Sequence, residues 1–414
     1  MDSWEIQAST VEMQVSERHR GCAFGVAAPG RVRAGRGGGF VVVDGGRSVI
    51  LSPLPRAKRA TRARPGISRT IKLDAAPDTH PFRKARSALL TVHAFTRPHT
   101  VRGTLLASVT GCARALMDSR AEMAQRVLRT AGNVSAADIA WIDYLRVVLD
   151  WSLLPRALLG VVALLLGNAF IVGVNQIYDQ EVDRVNKPFL PLAAGTMTPA
   201  QAWALCLASV ALGTLIVWRT FSRVILYLYV SGMVLGALYS VPPFRLRNVP
   251  LAAALIIACV RGFLLNFGVY YATREALLLP FRWLYPIRFL AFFMSVFAFV
   301  IALTKDLPDI EGDRQHRVPT FATQVGSKRM VILGSSMLFS AYMTAVVYGT
   351  APGMGRHFRR WTMVGGHAFL AWYLVRHVYG RLMRQGPENR PAIREFYRGI
   401  WRLFYWEYLL FVFI

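Results

Sequence analysis

NQIYDQEVDRVNKP, residues 175–188, begins where an apolar run over 152–175 ends, and KDLPDIEGDRQHR, residues 305–317, begins where the run over 285–304 ends. In the first stretch Asn175, Asp179 and Asp183 stand at i, i+4 and i+8, so a helix would set an amide and two carboxylates along one face. In the second, Asp306 and Asp309 are three apart and Asp309 and Asp313 four apart, with Glu311 between the last two. Each preceding run approaches the ~20 apolar residues with which a helix crosses a bilayer, and ionisable groups beside lipid are costly without a partner. Acids placed twice at the ends of apolar runs imply a membrane helix bundle built around a polar site.

Working outward, further apolar runs lie at 100–118, 200–219, 222–241, 249–270, 329–349, 361–379 and 396–414. The expected fold is all-α, a polytopic membrane bundle of about nine transmembrane helices with a polar loop cap over the site. The first run is the weakest, because Arg114 interrupts it, and Arg219 and Phe221 mark a very tight turn between two hairpin helices. Alternate crossings put the amino terminus and the loops after helices two, four, six and eight on one side. Those loops carry residues 175–188, VPPFRLR at 241–247 and residues 305–317, so the concentrated polar chemistry faces one way. Arg219, Arg223, Arg274, Arg282 and Arg356 fall on the other side and dilute the charge asymmetry; Arg274 and Arg282 are expected to meet lipid headgroups.

The composition agrees. The 414 residues are 54% hydrophobic and 17% charged, with a mean hydropathy of +0.35, which is a membrane-protein profile. A net charge of +26 could suggest nucleic acid, but the basic residues cluster in a tail and in loops rather than on a soluble face, so no nucleic-acid partner is expected. Cys22, Cys112, Cys206 and Cys259 are far apart, which argues for neither disulfides nor zinc. Walker A, GxSxG, HExxH and dinucleotide fingerprints are missing. Between Arg18 and Arg64 the only acid is Asp44, while GRVRAGRGGGF (30–40) and PRAKRATRARPG (55–66) are arginine-rich. That pattern reads as an organellar transit peptide over residues 1–80, disordered, with the membrane domain over 81–414; a basic tail on a bacterial or cytosolic protein is the competing reading.

Converging carboxylates repel unless cations sit between them, and oxygen ligands with retained water suit magnesium. Magnesium positions left open are natural sites for phosphate oxygens, and a metal-bound diphosphate is a good leaving group. Arg184, Lys187, Arg245, Arg247 and Lys305 share these loops and could carry the remaining phosphate charge. One such cluster alone could be a solvated loop; two on one side argue against it. An ion-coupled transporter would explain the acids but not the basic residues beside them, and a structural scaffold would need no doubled motif.

Residues 175–188 and 305–313 resemble the paired aspartate motifs of the UbiA-type intramembrane aromatic prenyltransferases. The resemblance covers roughly residues 95–414, including RPHTVRGT (97–104), YSVPPFRLR (239–247), RGFLLNFGVYYATREAL (261–277) and YRGIWRLFYWEYLLF (397–411). Within the family these stretches are similar to the homogentisate branch of photosynthetic eukaryotes, and 261–274 with the aromatic carboxy terminus resembles its solanesyl-transferring members. The resemblance implies transfer of a solanesyl group from solanesyl diphosphate to homogentisate, with loss of carbon dioxide and diphosphate, giving the methyl-solanesyl-benzoquinol precursor of plastoquinone. Phytyl or geranylgeranyl transfer is the alternative. It implies a multi-pass protein of a chloroplast membrane, the envelope, and Mg2+ as cofactor. It also implies that Asn175, Asp179, Asp183, Asp309 and Asp313 hold the magnesium-diphosphate complex, with Asp306 assisting. Asp179, Asp183, Asp309 and Asp313 would be the metal ligands, and Arg184, Lys187, Arg245 and Lys305 would contact phosphate.

Homogentisate is an anion and needs a basic or hydrogen-bonding partner. Arg97, His99, Arg102 and Arg261 lie near span ends, and Arg97, His99 and Tyr239 are the residues expected to contact the aromatic substrate. Tyr178, Tyr239, Phe244, Phe267, Tyr270 and Tyr271 could shield an allylic cation, although aromatics in spans more often pack. A long isoprenoid calls for a lateral opening to lipid. The oligomeric state is left open by the sequence.

Overall fold

The computed structural model describes residues 41–44, 47–50, 81–131, 153–353 and 355–414. In the first of two compact units, Met1–Ala75, strands β1 (Val41–Asp44) and β2 (Arg47–Ile50) pair antiparallel, Val41 opposite Ile50. Apart from that hairpin, the expected leader over residues 1–80 lies outside the described residues.

The second unit, Ala76–Ile414, is helical. A short α1 (Pro81–Phe95) leads into α2 (Pro98–Ala131); α3 (Leu153–Tyr178) breaks at Asp179 into the short α4 (Gln180–Asn186). The hairpin α5 (Pro199–Thr220) and α6 (Arg223–Ser240) follows. Thr198 starts α5 with a reciprocal capping box to Gln201 and a proline at the first turn, three start signals in four residues. Next come α7 (Pro250–Ala276), which passes through a π-helical turn at Ala258–Leu264, and α8 (Tyr285–Thr304). The short α9 (Ile310–Gln315) and α10 (Phe321–Val325) lead into α11 (Ser327–Thr350). Finally α12, residues 360–385, carries two π-helical turns, and α13 (Arg390–Phe411) closes the bundle.

Nine long helices are thus present among the described residues. Six of them, α3, α5, α6, α7, α8 and α11, are long and apolar enough to cross a membrane. The other three carry more charge, some of it paired inside the bundle. In α2, Arg114 pairs with Asp118 at 2.5 Å, and Asp118 accepts from the Tyr270 hydroxyl at 3.0 Å. His367 of α12 and Glu407 of α13, both fully buried, meet at 2.9 Å. Arg274 overturns the headgroup expectation: it is fully buried on α7, donating to Glu122, Ser119 and the Pro280 carbonyl, because a guanidinium in the bundle needs several acceptors. Arg282 remains exposed, with Glu122 at 3.9 Å.

The core centres on α8, where 72% of the most apolar window is buried, against 22–39% for the other five apolar spans. Gly262 lets α7 lie directly on α8, since a Cβ there would overlap the Ser295 backbone. On α13, Ile393, Phe396, Ile400, Leu403, Phe404 and Phe411 recur at helical spacing and form the buried face.

Candidate functional site

The two acidic stretches meet. Both sit where a span ends, α4 after α3 and α9 after α8, and these two short helices pack on each other. Gly312 makes the approach possible, because a Cβ there would collide with the Asn186 amide. With that space free, Asn186 Nδ2 donates to Asp313 Oδ1 at 3.2 Å, across 127 residues of sequence. Lys187 joins the stretches a second time, its Nζ 2.5 Å from Asp309 and 3.6 Å from Asp183. Burial works against this ammonium, but the Asp309 and Asp183 carboxylates outweigh it and hold the pKa above its usual value.

Around this seam other cations converge. Arg247 ion-pairs with Asp179, Arg245 approaches the same carboxylate at 3.6 Å, and Arg97 lies 3.8 Å from Asp183. Arg97 also donates to Asn175 Oδ1 at 2.9 Å, and Asn175 Nδ2 donates to Asp179 at 2.7 Å, so the first i, i+4 pair meets, although the helix breaks at Asp179 and Asp183 stands on α4 rather than on the same helix. Lys305 pairs with Asp306 at 2.5 Å and lies beside Tyr239. Arg97 (φ 54°) and Arg245 (φ 38°) both adopt the left-handed region that non-glycine residues rarely enter, a strain that the surrounding structure sustains at this one end of the bundle.

The candidates separate on this geometry. Asn175, Asp179, Asp183, Asp306, Asp309, Asp313, Lys187, Arg245, Lys305, Arg97 and Tyr239 share one end of the bundle. Arg184 is exposed and stands outside these ion pairs. His99 opens α2 with its ring 5.0 Å from Trp401, and its backbone carbonyl accepts from the Tyr405 hydroxyl. Burial, then the cations Arg97 and Arg261, push its imidazole down to about 3, so it is neutral. Phe267, Tyr270 and Tyr271 do not shield the site; they pack with Phe281 at the far end of α7, and Phe244 is exposed. Asn186 and Gly312 are the residues that sequence reasoning left out of the site, whereas Arg247, expected with Arg245 to carry phosphate charge, does stand in it, on Asp179.

Whether magnesium fits can be judged from the donors. Among the described residues no three acidic side chains gather closely enough to hold an ion as they stand, because Lys187 and the guanidinium groups occupy the space between them. The donor chemistry nonetheless suits it: Asp179 Oδ1 and Asp183 Oδ2 are buried without a hydrogen bond. Burial, then the carboxylates of Asp306 and Asp309, push the Asp313 carboxyl up to about 7, against the opposing pull of Lys305 and Lys187. All-oxygen sets of this kind suit hard divalent cations, magnesium among them.

An apolar cavity of about 370 Å³ lies between α2, α3, α6 and α7. Its wall follows α3 from Ile171 to Leu153, about 27 Å of helix at 1.5 Å per residue. Asn168, Arg261, Thr104 and Ser108 supply polar groups on its wall. A charged seam at a helix-bundle end beside a long apolar channel suits an amphiphile with an anionic head.

Residues 144–405 match the UbiA prenyltransferase family. The "Probable homogentisate phytyltransferase 2, chloroplastic" of Oryza sativa subsp. japonica is 45% identical over 317 residues, 77% of this chain and 76% of that protein. The "Homogentisate solanesyltransferase, chloroplastic" of Arabidopsis thaliana is 43% identical over 320 residues, 77% of this chain and 75% of that protein. Among solved structures, a UbiA homolog from Archaeoglobus fulgidus bound to DMAPP and Mg2+ is similar with a TM-score of 0.48 at 14% identity, covering 78% of this chain and 99% of that one.

Proposed function

We propose that this chain, which belongs to the UbiA prenyltransferase family, uses magnesium at its charged seam to transfer a solanesyl group from solanesyl diphosphate to homogentisate in a chloroplast membrane. The observation that carries this reading is the meeting of two acidic stretches with Lys187, Arg245, Arg247 and Lys305 at one end of the bundle. A transporter needs no such doubled set of cations, and family membership makes the chain a prenyltransferase. Homogentisate as acceptor and a chloroplast as home are supported by both relatives, and the arginine-rich leader suits an organelle; the envelope as the membrane is what the resemblance implies.

The carboxylates of Asp179, Asp183, Asp309 and Asp313 would hold the metal, with Asn175 and Asp306 supporting them. When bound, magnesium neutralises charge that develops on the departing diphosphate. Lys187 and Arg247, now paired to aspartates, are placed to turn to the diphosphate oxygens and orient the head, with Arg245 and Lys305 beside them. The apolar channel keeps water from the allylic carbon. Breaking the allylic carbon–oxygen bond leaves its electron pair on diphosphate, and the electron-rich ring of homogentisate supplies the pair for the new carbon–carbon bond. The ring then releases the proton at the new bond, carbon dioxide departs, and the methylene carbon takes up a proton to become the methyl group.

Phytyl or geranylgeranyl transfer is the second reading, and the name of the 45% identical rice relative favours it. The solanesyl donor is favoured by the resemblance of residues 261–274 and of the aromatic carboxy terminus. Product analysis with magnesium, labelled homogentisate and equal amounts of solanesyl, geranylgeranyl and phytyl diphosphates decides between them. A decarboxylated solanesyl quinol is expected; predominance of a shorter-chain quinol would transfer the protein to the second reading.

A further inference from the structure

Arg261 is the cation that the seam leaves unmatched. It lies in the π-helical turn Ala258–Leu264, a widened turn of the kind that recurs at functional sites. None of the ion pairs among the described residues includes it. Its hydrogen bond to Asn168 Oδ1 is long, 3.5 Å, and its Nη1 is buried with no partner. A guanidinium withdrawn from water without a counter-charge is costly, so the site is built for an anion.

The surroundings say which anion. One side of the guanidinium faces the Trp401 ring at 5.9 Å, and the His99 ring meets Trp401 edge-on. On another side the α2 backbone comes close at Gly103, where a Cβ would stand 3.4 Å from Nη1 and 3.3 Å from the Phe404 ring. Arg261 lines the cavity together with Asn168 and Thr104, rather than sitting in the aspartate seam. Lys187, Arg245, Arg247 and Lys305 face aspartates and serve the diphosphate in that reading, and Arg97 already lies against Asp183 and Asn175, leaving Arg261 for a different, smaller anion beside an aromatic platform. We infer that Arg261 receives the carboxylate of the aromatic acceptor, with Trp401 and His99 flanking the ring; this deepens the homogentisate reading and rests on it. A planar fork of N–H donors matches a carboxylate in a way that an ammonium does not.

The test compares wild type with Arg261→Met and Arg261→Lys at saturating solanesyl diphosphate, using homogentisate and its methyl ester as acceptors. For Arg261→Met the KM for homogentisate should rise about ten- to hundredfold, with the donor KM changed less than about twofold. Arg261→Lys should recover part of the loss, and prenylation of the uncharged ester should be equally slow in all three. Binding of a donor analogue reports that each variant is folded; should Arg261→Met not fold, Arg261→Lys alone decides, with a raised homogentisate KM and unchanged ester use expected. An unchanged homogentisate KM in a variant that binds donor, or equal losses with homogentisate and ester, would overturn the assignment. Wild type that prenylates other acceptors but not homogentisate would instead remove the functional reading on which it rests.

Discussion

At the scale of single residues, Gly312 and Asn186 decide whether there is one site or two loops. Gly312→Ala should push the Asn186 amide off Asp313 and lower kcat/KM for prenyl transfer about tenfold or more, since small misplacements of a reacting geometry are amplified in rate. Steady-state kinetics on the folded variant check this, and unchanged kinetics would mean that the close approach is not needed. Arg247→Met and Arg184→Met form a second contrast. Arg247 grips Asp179, and losing it should cost about 1 to 3 kcal/mol in kcat/KM for the donor, whereas the exposed Arg184 should cost less than about 0.5 kcal/mol. The reverse order would misplace the diphosphate. The aspartates were legible in the sequence because charge at the end of an apolar run demands a reason. Asn186 and Gly312 were not, because their meaning exists only in a contact between chain segments far apart. The spacing of Arg245 and Arg247 likewise could not say which guanidinium turns inward, and the left-handed backbone at Arg97 and Arg245 leaves no mark in composition.

At the scale of elements, the channel is kept open by helices that present glycine to it. Gly232 on α6 and Gly268 on α7 both line the cavity, and a Cβ at either would meet nothing within 4 Å. Gly268→Leu should therefore fill channel space rather than clash, cutting transfer from solanesyl diphosphate about tenfold or more while geranylgeranyl transfer falls little. The ratio of the two products in a mixed-donor assay measures this; equal losses would indicate general damage, and no change would place the chain elsewhere. Six spans could be read from hydropathy because apolar side chains dominate a long stretch of each and charges there are few. The runs at 100–118, 361–379 and 396–414 also proved to lie in long helices, although Arg114 made the first look weak in the sequence. Arg114 with Asp118, and His367 with Glu407, are satisfied inside the bundle, and only the fold shows the partners. The same holds for Arg274, whose acceptors on α2 and at Pro280 turn an apparent headgroup anchor into a core residue.

At the scale of the whole molecule, the alternating crossings predict that α4 and α9 face one side of the membrane and the α7–α8 turn the other. Arg184→Cys and Glu311→Cys should be labelled from the same side by an impermeant reagent, and Arg282→Cys from the opposite side, in a background with the four native cysteines replaced. All three positions are exposed, so labelling reports sidedness rather than access. The central claim is that the two acidic stretches form a single prenyl-diphosphate site, and a double-mutant cycle tests it most directly. Magnesium-dependent binding of a non-reacting solanesyl diphosphate analogue would be measured by calorimetry for wild type, Asp179→Asn, Asp309→Asn and the double variant. One shared site predicts that each single change weakens binding strongly and that the double change adds little, a coupling of at least about 1 kcal/mol. Losses that simply add, or either variant binding as wild type does, would contradict it.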